Sequence, residues 1–305
     1  MLLTVISSAP RLPLLLTKAE WMVLNLIRRV GLAIALAGTM ATAAVAPAQA
    51  AVRPATRVSA PVIIQDVLVT IPGHPAVRAY LVRPGGHLRR HRHAGILFLH
   101  WLGQIHSDRT EFLAEATELA SQGAVSLLPE GKFPWQVDPV GKWRDVTYVE
   151  AQLFYFRHAL TWLISRQYVD PGRVAVVGHD YGAMYGALLA SSDHRVHAAV
   201  LATPDATWGH WFVKYWLGYT GQRAAHYEGL FDKVQPVDHV SRLGTHELFQ
   251  WAGKDIYVGA SVRRQFARHA PRARVYFYAD SDHQLTDAAM ADRDAFLTRQ
   301  LDLKG

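Results

Sequence analysis

The chain has 305 residues, of which 50% are hydrophobic and 19% are charged, and its formal charge is +7 at neutral pH. This composition excludes collagen-like, coiled-coil and fully disordered chains. The sequence contains no cysteine, which excludes disulfides, thiolate metal sites and a cysteine nucleophile.

Residues 1–50 have the layout of an export signal. Arg28 and Arg29 precede an apolar run rich in alanine, which ends in the cleavage pattern Ala48-Gln49-Ala50. Met22 is an alternative start, because a signal counted from there has an ordinary length. The apolar run is shorter than the roughly 20 residues of a membrane span. We therefore expect a periplasmic or secreted protein with no stable membrane anchor after cleavage; the alternative is a retained N-terminal membrane helix.

Residues 51–305 are expected to form a single domain in which strands and helices alternate. In chain order the predicted elements are strands 62–70, 76–82 and 94–100, helix 109–121, strand 124–128, helix 145–166, strand 173–178, helix 181–191, strands 197–202 and 246–251, helix 260–269, strand 274–279 and helix 284–301. This alternation predicts an α/β fold with a mostly parallel, eight-stranded sheet and helices on both of its faces. Residues 203–244, rich in Trp and Tyr, form a short excursion.

The strongest local signal is Gly178-His179-Asp180-Tyr181-Gly182, where a predicted buried strand passes directly into a helix. This G-x-D-x-G pattern is that of a nucleophile elbow, with aspartate in the usual serine position. The central residue of an elbow lies in a strained turn, so the residues two positions before and after it must be nearly free of side chain. The alternative is a strand-to-helix turn in which Asp180 only caps the helix.

Two further residues follow predicted strands, in the order that an elbow of this kind requires. Asp255 comes just after strand 246–251, and His283 comes after strand 274–279. Because the carboxyl ends of parallel strands lie at one edge of the sheet, we expect Asp180, Asp255 and His283 to meet there as nucleophile, acid and base. Asp205 is a rival to Asp255 as the partner of His283.

With these residues in this order, the sequence resembles the α/β-hydrolase superfamily over residues 60–303, and most closely its dienelactone-hydrolase and prolyl-oligopeptidase-like branch. That resemblance implies the α/β-hydrolase fold with only a short cap. Leu99-His100-Trp101-Leu102-Gly103 stands where this superfamily has its His-Gly motif. It implies an oxyanion hole built from the backbone N–H of Tyr181 and that of Trp101 or Leu102. The elbow itself is similar to those of epoxide hydrolases and haloalkane dehalogenases.

An aspartate nucleophile favours particular reactions. A carboxylate is nucleophilic at pH 7 without a base; its attack on an ester would give a strained anhydride, whereas attack on an sp³ carbon gives an alkyl ester. His283, oriented by Asp255, would then activate a water against that ester. We therefore expect a hydrolase of a small molecule that forms an alkyl-enzyme, more like epoxide hydrolases than dehalogenases. Ester or lactone hydrolysis and a non-catalytic binding protein remain as alternatives.

The residues that contact the substrate are less sharply predicted. The candidates are His100, Glu130, Tyr215 and Tyr219, with the tyrosines as acids for an epoxide oxygen. A halide would instead need indole N–H groups, for which the candidates are Trp101, Trp208, Trp211 and Trp216. Plain packing is the competing role of all these aromatic rings.

No cofactor and no metal are expected. His87, His91 and His93 lie among arginines, and their spacing matches no metal site. Residues 1–50 carry four basic side chains and one acidic one, so the net charge of the remaining chain is only +4. Since no nucleic-acid motif is present either, the expected partner is a small-molecule substrate. The sequence leaves the oligomeric state open.

Overall fold

The computed structural model describes residues 61–86, 92–103 and 108–304. The predicted export signal at residues 1–50 and the basic histidines His87 and His91 lie outside the described residues. None of the helices within the described ranges is both long and apolar enough to cross a bilayer.

The described residues form one sheet of eight strands. The strands are β1 (Val62–Ile71), β2 (His74–Pro84), β3 (His93–Leu99), β4 (Val125–Pro129), β5 (Val169–His179), β6 (Ala198–Ala202), β7 (Glu247–Ala252) and β8 (Arg274–Tyr278). They lie in the order β1-β2-β4-β3-β5-β6-β7-β8. β2 is antiparallel to β1 and to β4, and all other pairs are parallel. The predicted eight-stranded, mostly parallel sheet is therefore confirmed.

Helices cover both faces of this sheet, as predicted. Within the described ranges there are seven α-helices: α1 (Leu113–Ser121), α2 (Arg144–Ile164), α3 (Tyr181–Ser192), α4 (Trp208–Phe212), α5 (Gly221–Gly229), α6 (Ala260–His269) and α7 (Asp287–Leu301). α2, α3 and α6 share the hydrophobic core on one face, and α1 and α7 share the core on the other. Leu97 and Leu99 of β3 enter the first core, whereas Ile96 and Phe98 enter the second. Successive strand residues point to opposite faces, which explains why β3 is apolar throughout.

The sheet changes its direction of growth at β3. The chain passes from β3 through α1 to β4 on one side, and α2 then returns it to β5 on the other side. Open α/β sheets bind their ligands at such a switch point, outside the carboxyl ends of the strands. The predicted site residues at the ends of β3 and β5 therefore lie where this topology favours a ligand.

Several element boundaries differ from the predicted ones, and those of α1 and β5 have local reasons. α1 begins at Leu113, later than predicted, because the carboxylate of Asp108 accepts hydrogen bonds from the backbone N–H and hydroxyl of Thr110 and holds a turn there. β5 begins at Val169, earlier than predicted, and runs through the expected turn at 170–172. That turn persists as a shift in the register between β5 and β3.

The excursion at 203–244 is largely helical, which the sequence did not predict. α4 continues into a π-helical turn at Val213–Leu217, and α5 follows it. The buried carboxylate of Asp145 in α2 holds this excursion to the domain. It accepts hydrogen bonds from the backbone N–H of Gly141 and from the hydroxyl of Tyr227 in α5, at 2.7 and 2.6 Å.

The turn between β5 and α3 depends on two glycines. A Cβ atom at Gly178 would overlap the carbonyl group of Gly182, and a Cβ atom at Gly182 would overlap the carbonyl group of Leu99 in β3. Both neighbours are backbone atoms, which cannot rotate away as the end of a side chain could. The two glycines therefore allow α3 to begin directly against the ends of β3 and β5.

Replacing Gly182 by alanine is expected to lower the free energy of unfolding by about 3 kcal/mol or more, because α3 would have to move off the sheet. Urea unfolding followed by circular dichroism measures this loss. Gly229→Ala is the matched control, since nothing lies within 4 Å of a Cβ atom there; we expect it to be neutral or to stabilise by up to about 1 kcal/mol. Equal stability of the two variants would contradict the close approach described at Gly182.

Candidate active site

Asp180 lies at the tip of the turn between β5 and α3. Its backbone has φ 53° and ψ −117°, a conformation that residues with side chains rarely adopt. Its N–H donates a hydrogen bond of 2.9 Å to the carbonyl of Ala202 at the end of β6, and the residue is only 2% exposed. Its side chain forms no capping hydrogen bond to α3, so the geometry is that of an elbow and not of a simple helix cap.

The two carboxylate oxygens of Asp180 have different surroundings. Oδ2 accepts a hydrogen bond of 3.3 Å from the backbone N–H of Leu102, which follows β3. Oδ1 is buried and has no hydrogen-bond partner among the described residues. It lies 3.7 Å from Nε2 of His283, close enough for charge attraction but too far for a hydrogen bond.

The other ring nitrogen of His283 contacts Asp255. Nδ1 of His283 lies 2.8 Å from Oδ2 of Asp255, whose Oδ1 accepts the backbone N–H groups of Tyr257 and Val258. The rival acid Asp205 instead accepts the backbone N–H of Thr207, two residues later. The structure thus brings together Asp180, His283 and Asp255, and it pairs His283 with Asp255.

The histidine stands between two carboxylates, which determines its charge. Burial favours a neutral imidazole, but the nearby charges of Asp180 and Asp255 and the hydrogen bond to Asp255 outweigh burial and raise the pKa of His283 to about 10. Burial likewise acts to raise the pKa of Asp255, but the hydrogen bond and charge of His283 bring it below its ordinary value. At neutral pH His283 is therefore an imidazolium, and its partner Asp255 is a carboxylate.

The conformation of the loop after β3 determines which of the predicted oxyanion donors faces Asp180. Tyr181 is the first residue of α3, and the first N–H groups of a helix have no partner within it. The N–H of Leu102 faces Asp180, as described above. The N–H of Trp101 turns away and donates a 2.6 Å hydrogen bond to Oε2 of Glu111. Of these two N–H groups, that of Leu102 faces Asp180 and that of Trp101 does not, so the prediction that included Trp101 is corrected.

Glu111 and His179 belong to the site although the sequence analysis did not single them out. Oε1 of Glu111 lies 2.6 Å from Nδ1 of His179, the residue just before Asp180. Nε2 of His179 lies 2.8 Å from the backbone carbonyl of His283. Burial raises the pKa of Glu111, although the charge of His179 opposes this effect. A histidine inside the elbow motif was the available signal; nothing in the sequence pairs it with Glu111.

The loop after β8 delivers His283 and delays the last helix. α7 begins at Asp287 and not at 284, because Leu285 takes a left-handed conformation with φ 61°. The carboxylate of Asp282 accepts the backbone N–H of Gln284 at 3.1 Å. The chain therefore turns within this loop before it can become helical.

Two of the predicted substrate-contacting residues have other contacts. Nε2 of His100 accepts the N–H of Gly131 at 2.8 Å, so the ring holds the loops after β3 and β4 together. Glu130 lies 3.7 Å from the guanidinium of Arg109 and lines a cavity of about 230 Å³. None of the three residues Asp180, Asp255 and His283 lines that cavity. The structure therefore places Glu130 apart from them.

Of the two predicted tyrosines, Tyr219 lies away from His283 and Tyr215 lies near it. Tyr219 lies against Gly141 and under the guanidinium of Arg223, 3.6 Å from its ring centroid, and no described contact joins it to His283. The ring of Tyr215 packs against that of Tyr257, which in turn packs against the His283 ring. The ring centroids of His283 and Tyr257 are 5.0 Å apart, and those of Tyr257 and Tyr215 are 5.7 Å apart. Tyr257 was not predicted, although it comes two residues after Asp255.

Two of the four indole N–H groups proposed for a halide donate hydrogen bonds to other residues. The indole N–H of Trp208 donates to the carbonyl of Val234 at 2.8 Å, and that of Trp216 donates to Asp138 at 3.3 Å. The Trp101 ring stacks on His179 with a centroid distance of 5.2 Å. Among the described residues, no group of three His, Asp or Glu side chains could hold a metal ion.

A sheet with this strand order, an elbow after β5 and a histidine after β8 defines an α/β hydrolase. The family model for the alpha/beta hydrolase fold matches residues 66–233, more than half of the chain. The protein therefore belongs to the α/β-hydrolase fold family, and the predicted superfamily is confirmed. No curated protein matches the sequence.

Several solved structures have a similar fold. One, from Klebsiella pneumoniae subsp. pneumoniae, is assigned as a dienelactone hydrolase and is 16% identical, with a TM-score of 0.58 over 79% of this chain and 99% of that chain. An acetyl xylan esterase from Paenibacillus sp. R4 is 16% identical, with a TM-score of 0.57 over 79% and 90%. Oligopeptidase B from Leishmania major is 11% identical, with a TM-score of 0.61 over 79% and 37%. At such identities these structures share the fold.

The pKa of His283 is expected to depend on the charge of Asp180. In Asp180→Asn the shape of the side chain is kept but one carboxylate is lost, so the pKa should fall from about 10 toward the ordinary value near 6.5. At pH 8 the wild-type imidazole should then be protonated and the variant's largely neutral. Titration of the imidazole resonances by NMR measures both values. A pKa that stays near 10 in the variant would mean that Asp255 alone holds the proton.

Proposed function

We propose that this α/β hydrolase forms a covalent ester between its substrate and Asp180, and that His283 and Asp255 complete a catalytic triad. The supporting observation is the difference between the two oxygens of Asp180: Oδ2 is held by the N–H of Leu102, and Oδ1 has no hydrogen bond among the described residues. One oxygen is thus free to attack, and the other already faces a donor that can stabilise negative charge.

In the first step, Oδ1 attacks an sp³ carbon, and the bond from that carbon to its leaving oxygen breaks. The bonding electrons go to the leaving oxygen, which must take up a proton. We assign the donor to Tyr215, whose ring reaches His283 through that of Tyr257. Its hydroxyl keeps its proton at neutral pH, since burial raises its pKa.

In the second step, His283 becomes a base because Asp180 has lost its charge. Once Oδ1 is esterified, only Asp255 still supports the imidazolium, so the pKa of His283 falls. The proton that it releases restores Tyr215, which gave one to the leaving oxygen. Neutral His283 then accepts a proton from water as the water oxygen bonds to the Asp180 carbonyl carbon. The charge that develops on Oδ2 faces the N–H of Leu102. As the bond between the carbonyl carbon and Oδ1 breaks, His283 gives its proton to Oδ1, and the alcohol leaves.

Among substrates with an sp³ centre, the geometry favours epoxides over alkyl halides. An epoxide oxygen needs a hydroxyl donor, and Tyr215 and Tyr257 lie on the His283 side of the site. A halide is held by indole N–H groups, and two of the four candidate indoles already donate to other residues. The substrate class that we propose is therefore a neutral epoxide.

Hydrolysis of an ester or lactone is the second candidate. It is supported by the hydrogen bond between His283 and Asp255, which suits water activation, and by the similar folds of an acetyl xylan esterase and of the Klebsiella protein assigned as a dienelactone hydrolase. In this case Asp180 does not become alkylated, because attack on a carbonyl carbon would give an anhydride. The two candidates therefore differ in whether an adduct on Asp180 forms.

Trapping the ester on Asp180 tests the proposed function. In His283→Gln the base is removed, so an alkyl adduct should form on Asp180 and persist, because hydrolysis of such esters depends on base catalysis worth about 10²–10⁴-fold. Intact mass spectrometry after incubation with pooled epoxides, haloalkanes and activated esters measures the adduct, and peptide mapping locates it. His194→Gln, an exposed histidine outside the site, is the matched control and should accumulate none.

The same assay tests the proton donor. In the His283→Gln background, Tyr215→Phe is expected to slow adduct formation by about 10²-fold, whereas Tyr219→Phe should leave the rate unchanged. Turnover of esters by the wild-type chain with no adduct in any variant would favour the second candidate. An unreactive wild type that only binds the probes would instead favour the non-catalytic alternative.

We also propose that the chain is exported and that the signal is removed after Ala50. This proposal rests on the basic residues, apolar run and cleavage pattern within residues 1–50. Expression of the full chain in a host with a general secretion system should give an extracellular or periplasmic protein that begins at Ala51. N-terminal sequencing measures this, and Ala48→Asp should block the cleavage. A protein that keeps residues 1–50 in the membrane fraction would contradict the proposal.

A further inference from the structure

We propose that Glu111 and His179 form a positioning pair that holds three parts of the site in register: the loop that carries Leu102, the elbow, and the loop that carries His283. In this proposal neither residue touches the substrate; both act through the groups that they hold. The catalytic meaning of the pair rests on the proposed function, whereas its effect on geometry does not.

The pair joins three segments that are far apart in the sequence. One oxygen of Glu111 accepts the backbone N–H of Trp101 at 2.6 Å, and the other lies 2.6 Å from Nδ1 of His179. Nε2 of His179 lies 2.8 Å from the carbonyl oxygen of His283. A continuous path of hydrogen bonds therefore runs from the end of β3, through the residue before the nucleophile, to the backbone of the histidine.

The protonation of this pair follows from its partners. The carbonyl of His283 can only accept a hydrogen bond, so Nε2 of His179 must carry a proton. The contact between Nδ1 and Glu111 then holds one further proton, on either the ring or the carboxyl group. In both cases the pair has no net charge. Its influence on His283 is therefore mainly one of position and not of charge.

Glu111 also determines which backbone donor faces the nucleophile. Trp101 and Leu102 offer successive N–H groups in the loop after β3. Because Glu111 accepts the first, the second is turned toward Oδ2 of Asp180, at 3.3 Å. Without Glu111, the N–H of Trp101 would lose its acceptor in a buried place, and the loop would have reason to rotate.

The loop after β8 needs such a contact because it is incompletely packed on this side. A cavity of about 210 Å³ borders Glu111, His179 and the loop residues 284–287. The hydrogen bond from His179 to the His283 carbonyl links a residue that lines this cavity to the start of the loop. The Trp101 ring supports it, since it stacks on His179 with an interplanar angle of 9° and lies 6.1 Å from the His283 ring.

Three substitutions distinguish a change in the geometry of the site from a loss of overall stability of the fold. Glu111→Ala removes both hydrogen bonds of the carboxylate. Glu111→Gln can keep both, because its carbonyl accepts the N–H of Trp101 and its amide donates to Nδ1 of a neutral His179. Glu118→Ala, at an exposed position of the following helix α1, is the matched control for loss of a glutamate. Circular dichroism and urea unfolding identify which variants fold.

The first readout needs no substrate and therefore no proposed function. The NMR titration of His283 should give a pKa lower by about one or more in Glu111→Ala, a tenfold change in proton affinity, because Nε2 moves relative to Asp180. Asp180, Asp255 and the His179 ring are the titratable groups that face this ring, and the aromatic ring of Tyr257 packs against it. Glu111→Gln and Glu118→Ala should keep the wild-type pKa. A pKa in Glu111→Ala equal to that of the wild type would overturn the inference.

The second readout follows the two half-reactions. If Glu111 aims the N–H of Leu102, its loss should slow hydrolysis of the alkyl-enzyme about 10-fold or more relative to its formation. An adduct on Asp180 should then accumulate in Glu111→Ala even with His283 intact, and Glu111→Gln should restore turnover. Equal slowing of both steps would mean that Glu111 only supports the fold, and would overturn the positioning role.

A second variant covers the case in which Glu111→Ala does not fold. His179→Phe keeps a ring against Trp101 but removes both nitrogen contacts, and it should lower the pKa of His283 in the same way. If His179→Phe folds and leaves that pKa unchanged, the inference is wrong. A lowered pKa together with no adduct in any variant would support the positioning pair while rejecting the alkyl-enzyme, so the two proposals fail separately.

Discussion

The whole site depends on how closely α3 approaches the ends of β3 and β5. Gly182 lies against the carbonyl of Leu99, and Gly178 lies against the carbonyl of Gly182. This contact forces the residue between them into a strained conformation with positive φ, which packing of the surrounding elements must sustain. The approach also brings the loop after β3 within hydrogen-bond distance of Asp180. The position of Asp180 and that of the backbone N–H that faces it are therefore consequences of one steric arrangement.

The sheet topology assembles the remaining groups around that point. Asp255 follows β7 and His283 follows β8, and both strands run parallel to β5. Their loops therefore open at the same edge as the elbow. His283 is buried between two carboxylates, an environment that favours its charged form only while both are ionised. A change in the charge of Asp180 is thus transmitted directly to the proton affinity of the histidine.

The fold and the three central residues could be predicted because each depends on chain order. Strand ends, a glycine-flanked turn and the sequence of acid and histidine are all local patterns that a parallel sheet converts into proximity. The donor in the loop after β3 could not be chosen from sequence, because Trp101 and Leu102 differ only in the direction of their N–H groups. That direction depends on Glu111, which lay inside a predicted helix. The contacts of Glu130 and Tyr219 also depend on loop paths that no periodicity encodes.

The charges of the site also limit what can enter it. Asp180 and Asp255 together outnumber the single imidazolium of His283, while Glu111 and His179 together are neutral. Burial raises the pKa of the nearby Asp205 to about 6, so at neutral pH it adds further negative charge. In a buried region of low dielectric, this excess repels an anion far more strongly than it would in water. For the proposed reaction, this excess of negative charge favours a neutral substrate over a carboxylate or a phosphate.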